Sequence, residues 1–202
     1  MHFEKGQLYH IYNQGNNRQK IFFEAENYLF FLKKIRTYLL PYCDILAYCL
    51  MPNHFHWMVR VNEALVVINS SDDSKSSDEL ITKSRTLNQS IAIILRSYTR
   101  AINKQKGTTG SLFRPKTKAE CLTEINGITP SYYNTKTGTQ IHINNPEEQH
   151  PQVCFNYIHQ NPVRAGLVVN EIDWSYSSAV DYAGMRNGTL VNKRVAKEYI
   201  EF

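Results

Sequence analysis

The sequence predicts an α+β fold of the ferredoxin-like (RRM-like) kind, a mainly antiparallel sheet with helices on one face. Three observations predict it. Without two polar segments, the chain reads strand, helix, strand, strand, helix, strand, and then one more helix. Two long stretches carry apolar residues at helical spacing, while other, shorter stretches alternate as strands do. Two of those strands are separated only by a Met-Pro-Asn break, short enough for a hairpin.

Gln7 to Asn13 (QLYHIYN) alternates and is rich in Tyr and Ile, which marks the first strand; Gln14 to Arg18 is turn chemistry. Ala25 to Leu40 places Tyr28, Leu29, Leu32, Ile35 and Leu39 at helical spacing, and Pro41 stops the helix. Asp44 to Leu50 is apolar and strand-like, and His54 to Val61 (HFHWMVRV) alternates. Leu87 to Lys104 is a second helix with Ile91, Ile94, Leu95, Tyr98 and Ile102 on one side, ended by glycine-bearing Lys106 to Gly110. Leu112 to Leu122 reads as a loop feeding a strand. A last helix runs from about Gln149 through Tyr157 to a break at Asn161-Pro162.

Residues 62–86, with their NSSDDSKSSDE stretch, read as a mobile insertion, and 123–150 as a second insertion or a small hairpin. The whole, 1–202, is expected to be one domain with these insertions and a tail from about Trp174.

An apolar share of 42% with 12% aromatics excludes a disordered chain. No apolar run reaches the roughly 18 residues that a spanning helix needs, and the N-terminus lacks a signal-peptide core, so a cytoplasmic protein is expected. Cys43, Cys49, Cys121 and Cys154 are scattered without a C-x-x-C pair, as in small buried residues of a reduced protein. The net charge of +5 permits a polyanionic partner without demonstrating one.

His54-Phe55-His56 is the informative triplet. On a strand, both imidazoles project to one face and Phe55 to the other. That is half a metal site, and a third ligand is required. Tyr157 and Asn161, four apart on a helix, share a face. The Asn161 amide oxygen, Gln160 and His159 are the candidates for that ligand. Two imidazoles and an amide oxygen, with open positions for phosphate and water, suit Mg²⁺ or Mn²⁺, although His-rich sites also take zinc. A phenol, with pKa about 10, needs such activation to attack a phosphodiester. The chain has 13 tyrosines, so chemistry alone does not single out Tyr157, and Tyr98 competes with it.

The ordered set YHIYNQGNNRQKIF, AYCLMPNHFHWMV, LNQSIAIILRSYTRAINKQKGTTGSLF, YIHQNPVRAGLV and WSYSSAVDY resembles the REP-associated tyrosine transposases, relatives of the small single-tyrosine insertion-sequence transposases. The resemblance spans most of residues 6–182 outside the two insertions. It implies an HUH endonuclease fold with a catalytic-tyrosine helix. In it His54 and His56 are the histidine pair, Asn161 the third metal ligand and Tyr157 the nucleophile. It further implies a nucleoid-associated protein that nicks and rejoins single-stranded DNA beside hairpins through a 5′-phosphotyrosine link. A monomer is expected over a homodimer.

Arg96, Arg100 and Lys104 fall at helical spacing away from the apolar stripe, and Arg114, Lys116 and Lys118 alternate as on one face of a strand. Beside a DNA-processing site both sets become candidate phosphate contacts. Asn13, Gly15, Asn16 and Arg18 form a loop whose amides are candidates for holding a phosphate. Two other functions compete: a DNA or RNA hairpin-binding module that no longer cuts, and a metal hydrolase with no covalent step.

Overall fold

The computed structural model describes residues 1–69, 82–123, 132–135, 138–141 and 146–202. A four-stranded sheet forms its centre. The strands are β1 (Leu8–Gln14), β2 (Cys43–Met51), β3 (His54–Val61) and, numbered after two strands introduced below, β6 (Lys118–Cys121). Their order is β2-β3-β1-β6, with every neighbouring pair antiparallel. Together with α1 (Ala25–Tyr38) between the first two strands and α2 (Leu87–Lys106) before the last, this is the ferredoxin-like order.

The two faces of the sheet are covered differently. Phe55, Trp57 and Val59 of β3 pack with Ile11 of β1 against Phe31 and Ile35 of α1 and Ile91, Ile94 and Tyr98 of α2. Phe31 alone meets the rings of Phe22, Phe55, Trp57, Tyr98 and Phe113. Helix α2 starts at a capping box in which Thr86 Oγ1 accepts from the Gln89 amide and Gln89 Oε1 from the Thr86 amide. It ends at Gly107, whose φ of +64° is the left-handed cap that glycine adopts without strain.

On the opposite face, Leu8, Leu46, Ala47 and Met58 meet Cys154, Phe155 and Ile158 of α3 (Pro146–Arg164), together with Val195, Ala196 and Ile200. Leu46 and Ala47 share this side because the β2–β3 register shifts between Ile45 and Ala47, as at a bulge. Helix α3 is longer than the sequence indicates: it starts at Pro146 and runs through Pro162 to Arg164. Proline's fixed φ is itself helical, and within a helix it forfeits one bond, here to the Ile158 carbonyl; the Pro162 ring is buried.

Residues 62–86 are not wholly irregular. Strand β4 (Leu65–Asn69) pairs antiparallel with β5 (Thr82–Thr86), and the expected mobile stretch between them lies outside the described residues. In 123–150, β7 (Tyr132–Thr135) pairs with β8 (Gly138–Ile141), the small hairpin that the sequence offered as one reading. From Trp174 the tail covers the open edge of β2. The Leu50 amide donates to the Tyr176 carbonyl, Ser178 N to Tyr48 O, and Asn192 N to Ile45 O. An edge strand with its backbone paired in this way cannot template aggregation. All four cysteines are free; three are buried and Cys121 is partly exposed. Among the described residues, no helix is long and apolar enough to cross a membrane.

Candidate active site

Pairing of β1, β3 and β6 lines up a set of side chains at the end of the sheet face that α3 covers. Tyr12 stands opposite His56 in one register and Lys118 in the other, while His10 stands opposite Glu120. Directly opposed residues point the same way, so His10, Tyr12, His54, His56, Lys118 and Glu120 share one face. Tyr157 of α3 lies over them. Its ring meets the His56 ring edge-on at 5.4 Å and the His10 ring at 6.1 Å, and the Arg164 guanidinium sits 5.6 Å from its centroid. Tyr157 is 37% exposed and lines two surface clefts.

His54 is fixed at both ring nitrogens. Asn53 Nδ2 donates to the Arg18 carbonyl, which turns Asn53 Oδ1 to His54 Nδ1 at 2.6 Å. An amide oxygen only accepts, so His54 Nδ1 carries the proton and Nε2 presents its lone pair. On the far side, Asn161 Nδ2 donates to the Tyr157 carbonyl at 3.2 Å, leaving Asn161 Oδ1 facing His54 Nε2 at 3.3 Å. Two acceptors therefore confront each other. Either a proton on His54 or a cation resolves the contact, and burial lowers the His54 pKa against the pull of Asn161, disfavouring the proton.

His56 is 5% exposed, and its Nε2 is buried without a hydrogen-bond partner. Its pKa falls well below 6.5, mainly through burial and further through His10 and His54, so the ring is neutral. The orphaned Nε2, the His54 lone pair and Asn161 Oδ1 make a donor set that fits a divalent ion. Among the described residues, no three His, Cys, Asp or Glu are placed to hold a metal, so the amide would be the third protein ligand.

The alternatives to Asn161 and Tyr157 are otherwise engaged. His159 is 3% exposed and its Nε2 pairs with Ser178 Oγ at 2.7 Å; Gln160 lies exposed beside Arg164. Tyr98 is fully buried, donates its hydroxyl to the Ile21 carbonyl at 2.7 Å, and has its pKa driven upward by burial, so it is a core residue and not a nucleophile.

Two clefts open on either side of Tyr157. One, of about 240 Å³, is lined by Gln14, His54, His56, Arg114, Lys116 and Lys118. Arg114 and Lys116 also line a groove of about 850 Å³ that runs along α2 past Arg96 and Arg100. Lys104 is exposed but does not line that groove. Of the three expected strand cations only Lys118 is on a strand; Arg114 and Lys116 are on the loop before it. The other cleft, of about 430 Å³, holds His10, Glu120, His150, Asn156 and Arg164.

The backbone amides of the expected phosphate loop are committed within the protein. The amides of Gly15, Asn16 and Arg18 already donate to the carbonyls of Asn53, Leu112 and Gly15. A Cβ at Gly15 would come within 2.2 Å of the Gln19 oxygen, so the glycine serves a close backbone turn. Asn13 is 4% exposed and braces the loop through Arg114 O and Thr117 Oγ1, and Asn16 Nδ2 donates to Ser111 O. The Arg18 side chain is exposed beside this turn.

Sequence reasoning missed His10, Tyr12, Glu120 and Arg164. The signal was the alternation of His10 with Tyr12 on β1, readable once β1 is taken as the neighbour of β3.

The architecture has a solved counterpart. It superposes on the structure of a REP-associated tyrosine transposase bound to a REP hairpin, with a TM-score of 0.52, across 88% of this chain and 79% of the other. This chain has the fold of a REP-associated tyrosine transposase. At 18% identity the likeness to the transposase is one of fold. No protein-family model and no curated protein matches the sequence.

Proposed function

We propose that the protein is a REP-associated tyrosine transposase that nicks and rejoins single-stranded DNA beside hairpins, with Tyr157 as nucleophile. The observation that carries this reading is the placement of an accessible phenol over a neutral, unpartnered His56 Nε2, with His54 Nε2 and Asn161 Oδ1 as acceptors beside it. Mg²⁺ or Mn²⁺ held by His54, His56 and Asn161 would polarise the non-bridging oxygens of the scissile phosphate. Tyr157 Oη attacks the phosphorus, the bond from phosphorus to the 3′ oxygen breaks, and a 5′-phosphotyrosine remains. Net, the phenolic proton passes to the departing 3′ oxygen. The phosphotyrosine keeps the bond energy, so a 3′-hydroxyl can rejoin the strand by the reverse step.

Lys116, Lys118 and Arg114 line the cleft beside Tyr157 and neutralise the strand at the reacting phosphate, while Arg96 and Arg100 extend that path along α2. Such an enzyme works at the nucleoid in the cytoplasm, and one chain carries every residue of the site, consistent with a monomer.

The test uses labelled single-stranded hairpins from the flanks of the gene, with Mn²⁺ or Mg²⁺, scored on denaturing gels. Cleavage that requires metal and is lost in His56→Ala supports the reading. Tight hairpin binding without cleavage in any metal replaces it with a non-cutting hairpin-binding module, and cleavage that survives Tyr157→Phe replaces it with a metal hydrolase.

A further inference from the structure

His56 has one nitrogen buried and unpartnered, Nε2, and one committed: its Nδ1 lies 2.9 Å from His10 Nε2. A hydrogen bond between two imidazole nitrogens needs one proton, and its position decides what His56 can do. If His10 Nε2 donates, His56 Nδ1 accepts, and the neutral His56 ring carries its proton on Nε2, where no metal can bind. If His56 Nδ1 donates, its Nε2 lone pair is free. Only the second arrangement is compatible with His56 as a ligand, and it requires His10 to accept at Nε2 and to carry its own proton on Nδ1.

The surroundings of His10 are built for that tautomer. The ring is 7% exposed and is stacked on Tyr12 at 4.8 Å and on His56 at 5.1 Å, so it cannot swing away. Glu120 stands opposite it in the β1–β6 register, on the side of β1 away from β3 and His56. The position of Glu120 is held in turn by Tyr12, whose hydroxyl donates to Glu120 Oε1 at 2.6 Å. A carboxylate on the β6 side of His10 favours a proton on the ring edge turned away from β3 and His56.

We infer that His10 is a positioning residue that fixes the ligating tautomer of His56, with Tyr12 and Glu120 fixing His10 behind it. This rests on the proposed metal-dependent reading and adds to it three residues from two other strands. In most metal sites the nitrogen opposite the ligating one donates to a carboxylate or a carbonyl. Here a second imidazole takes that place, and the carboxylate is moved one residue further out.

The test is Mn²⁺ binding to the whole protein by calorimetry, in wild type, His56→Ala, His10→Leu and His10→Gln. Glutamine places Oε1 near the position of the imidazole Nε2 and can only accept there. His10→Leu is expected to weaken Mn²⁺ about 10–100-fold, the range for loss of such an outer partner, and His10→Gln to restore most of it. Nitrogen-15 NMR of the Mg²⁺-loaded wild type should find the His56 proton on Nδ1, hydrogen-bonded to His10. Near-wild-type Mn²⁺ binding in His10→Leu, with binding lost in His56→Ala, overturns the role of His10 alone. Unchanged binding in both overturns the metal reading itself. If His10→Leu fails to fold, the NMR decides, since a proton on His56 Nε2 excludes the proposal.

Discussion

Asn161 Oδ1 faces His54 Nε2 at 3.3 Å, and hydrogen bonds to Asn53 and to the Tyr157 carbonyl leave both atoms as acceptors. The contact is unfavourable without a cation and becomes useful with one. Asn161→Leu should therefore leave the metal-free protein at nearly unchanged stability, within about 0.5 kcal/mol, yet weaken Mn²⁺ by at least about tenfold. Asn161→Asp, which keeps an oxygen and adds charge, should bind Mn²⁺ at least as well as wild type. Calorimetric titration of the three proteins checks both statements.

The groove along α2 carries Arg96, Arg100, Arg114 and Lys116 among its lining residues. If it holds the DNA backbone, each cation removed should lower hairpin affinity at low salt and reduce the slope of log K against log salt by about 0.7–0.9. Lys104, outside the groove, should change neither when replaced by alanine. Fluorescence anisotropy across a salt series measures this.

Asp181 is 1% exposed at its side chain, and its two oxygens accept from Arg186 Nε and Nη2, both at 2.7 Å. Arg186 also donates to Tyr48 Oη and to the carbonyls of Ser175 and Ser177, fastening the tail to β2. Arg186→Met leaves a buried carboxylate without its partner and should cost about 3–5 kcal/mol in urea unfolding. Because Ser178 in that tail also holds His159 of α3, the same variant should loosen the helix that carries Tyr157.

Burial lowers the pKa of both His10 and His159 to about 4, and that of His56 in the same direction. The unfolded chain, with histidines near 6.5, then binds more protons than the folded one at mildly acidic pH. Stability is thus fully present above about pH 6.5 and lost as pH falls towards 4, by up to roughly 3 kcal/mol for each of His10 and His159. Thermal melts in chelator between pH 7.5 and 4.5 should show the decline, and His159→Gln should reduce its steepness.

Much of this architecture was legible locally. The period of two in HFHWMVRV put His54 and His56 on one face, and the spacing from Ile91 to Ile102 marked the buried side of α2. The four-residue step from Tyr157 to Asn161 holds because α3 is helical there. What escaped depended on register between distant segments. His10 and Glu120 matter only because β1 lies between β3 and β6, and the polar loop at Asn13 to Arg18 spends its amides on Asn53 and Leu112, far away in sequence. Pro162 misled because its neighbours tolerate one lost backbone bond.

The most direct measurement is tandem mass spectrometry of the protein after incubation with a single-stranded hairpin and Mn²⁺, following proteolysis and nuclease trimming. A nucleotide 5′-phosphate is expected on the Tyr157 peptide, absent without metal and in Tyr157→Phe, and retained in Tyr98→Phe. A cleaved hairpin with no modified tyrosine, or the phosphate on any residue other than Tyr157, would contradict it.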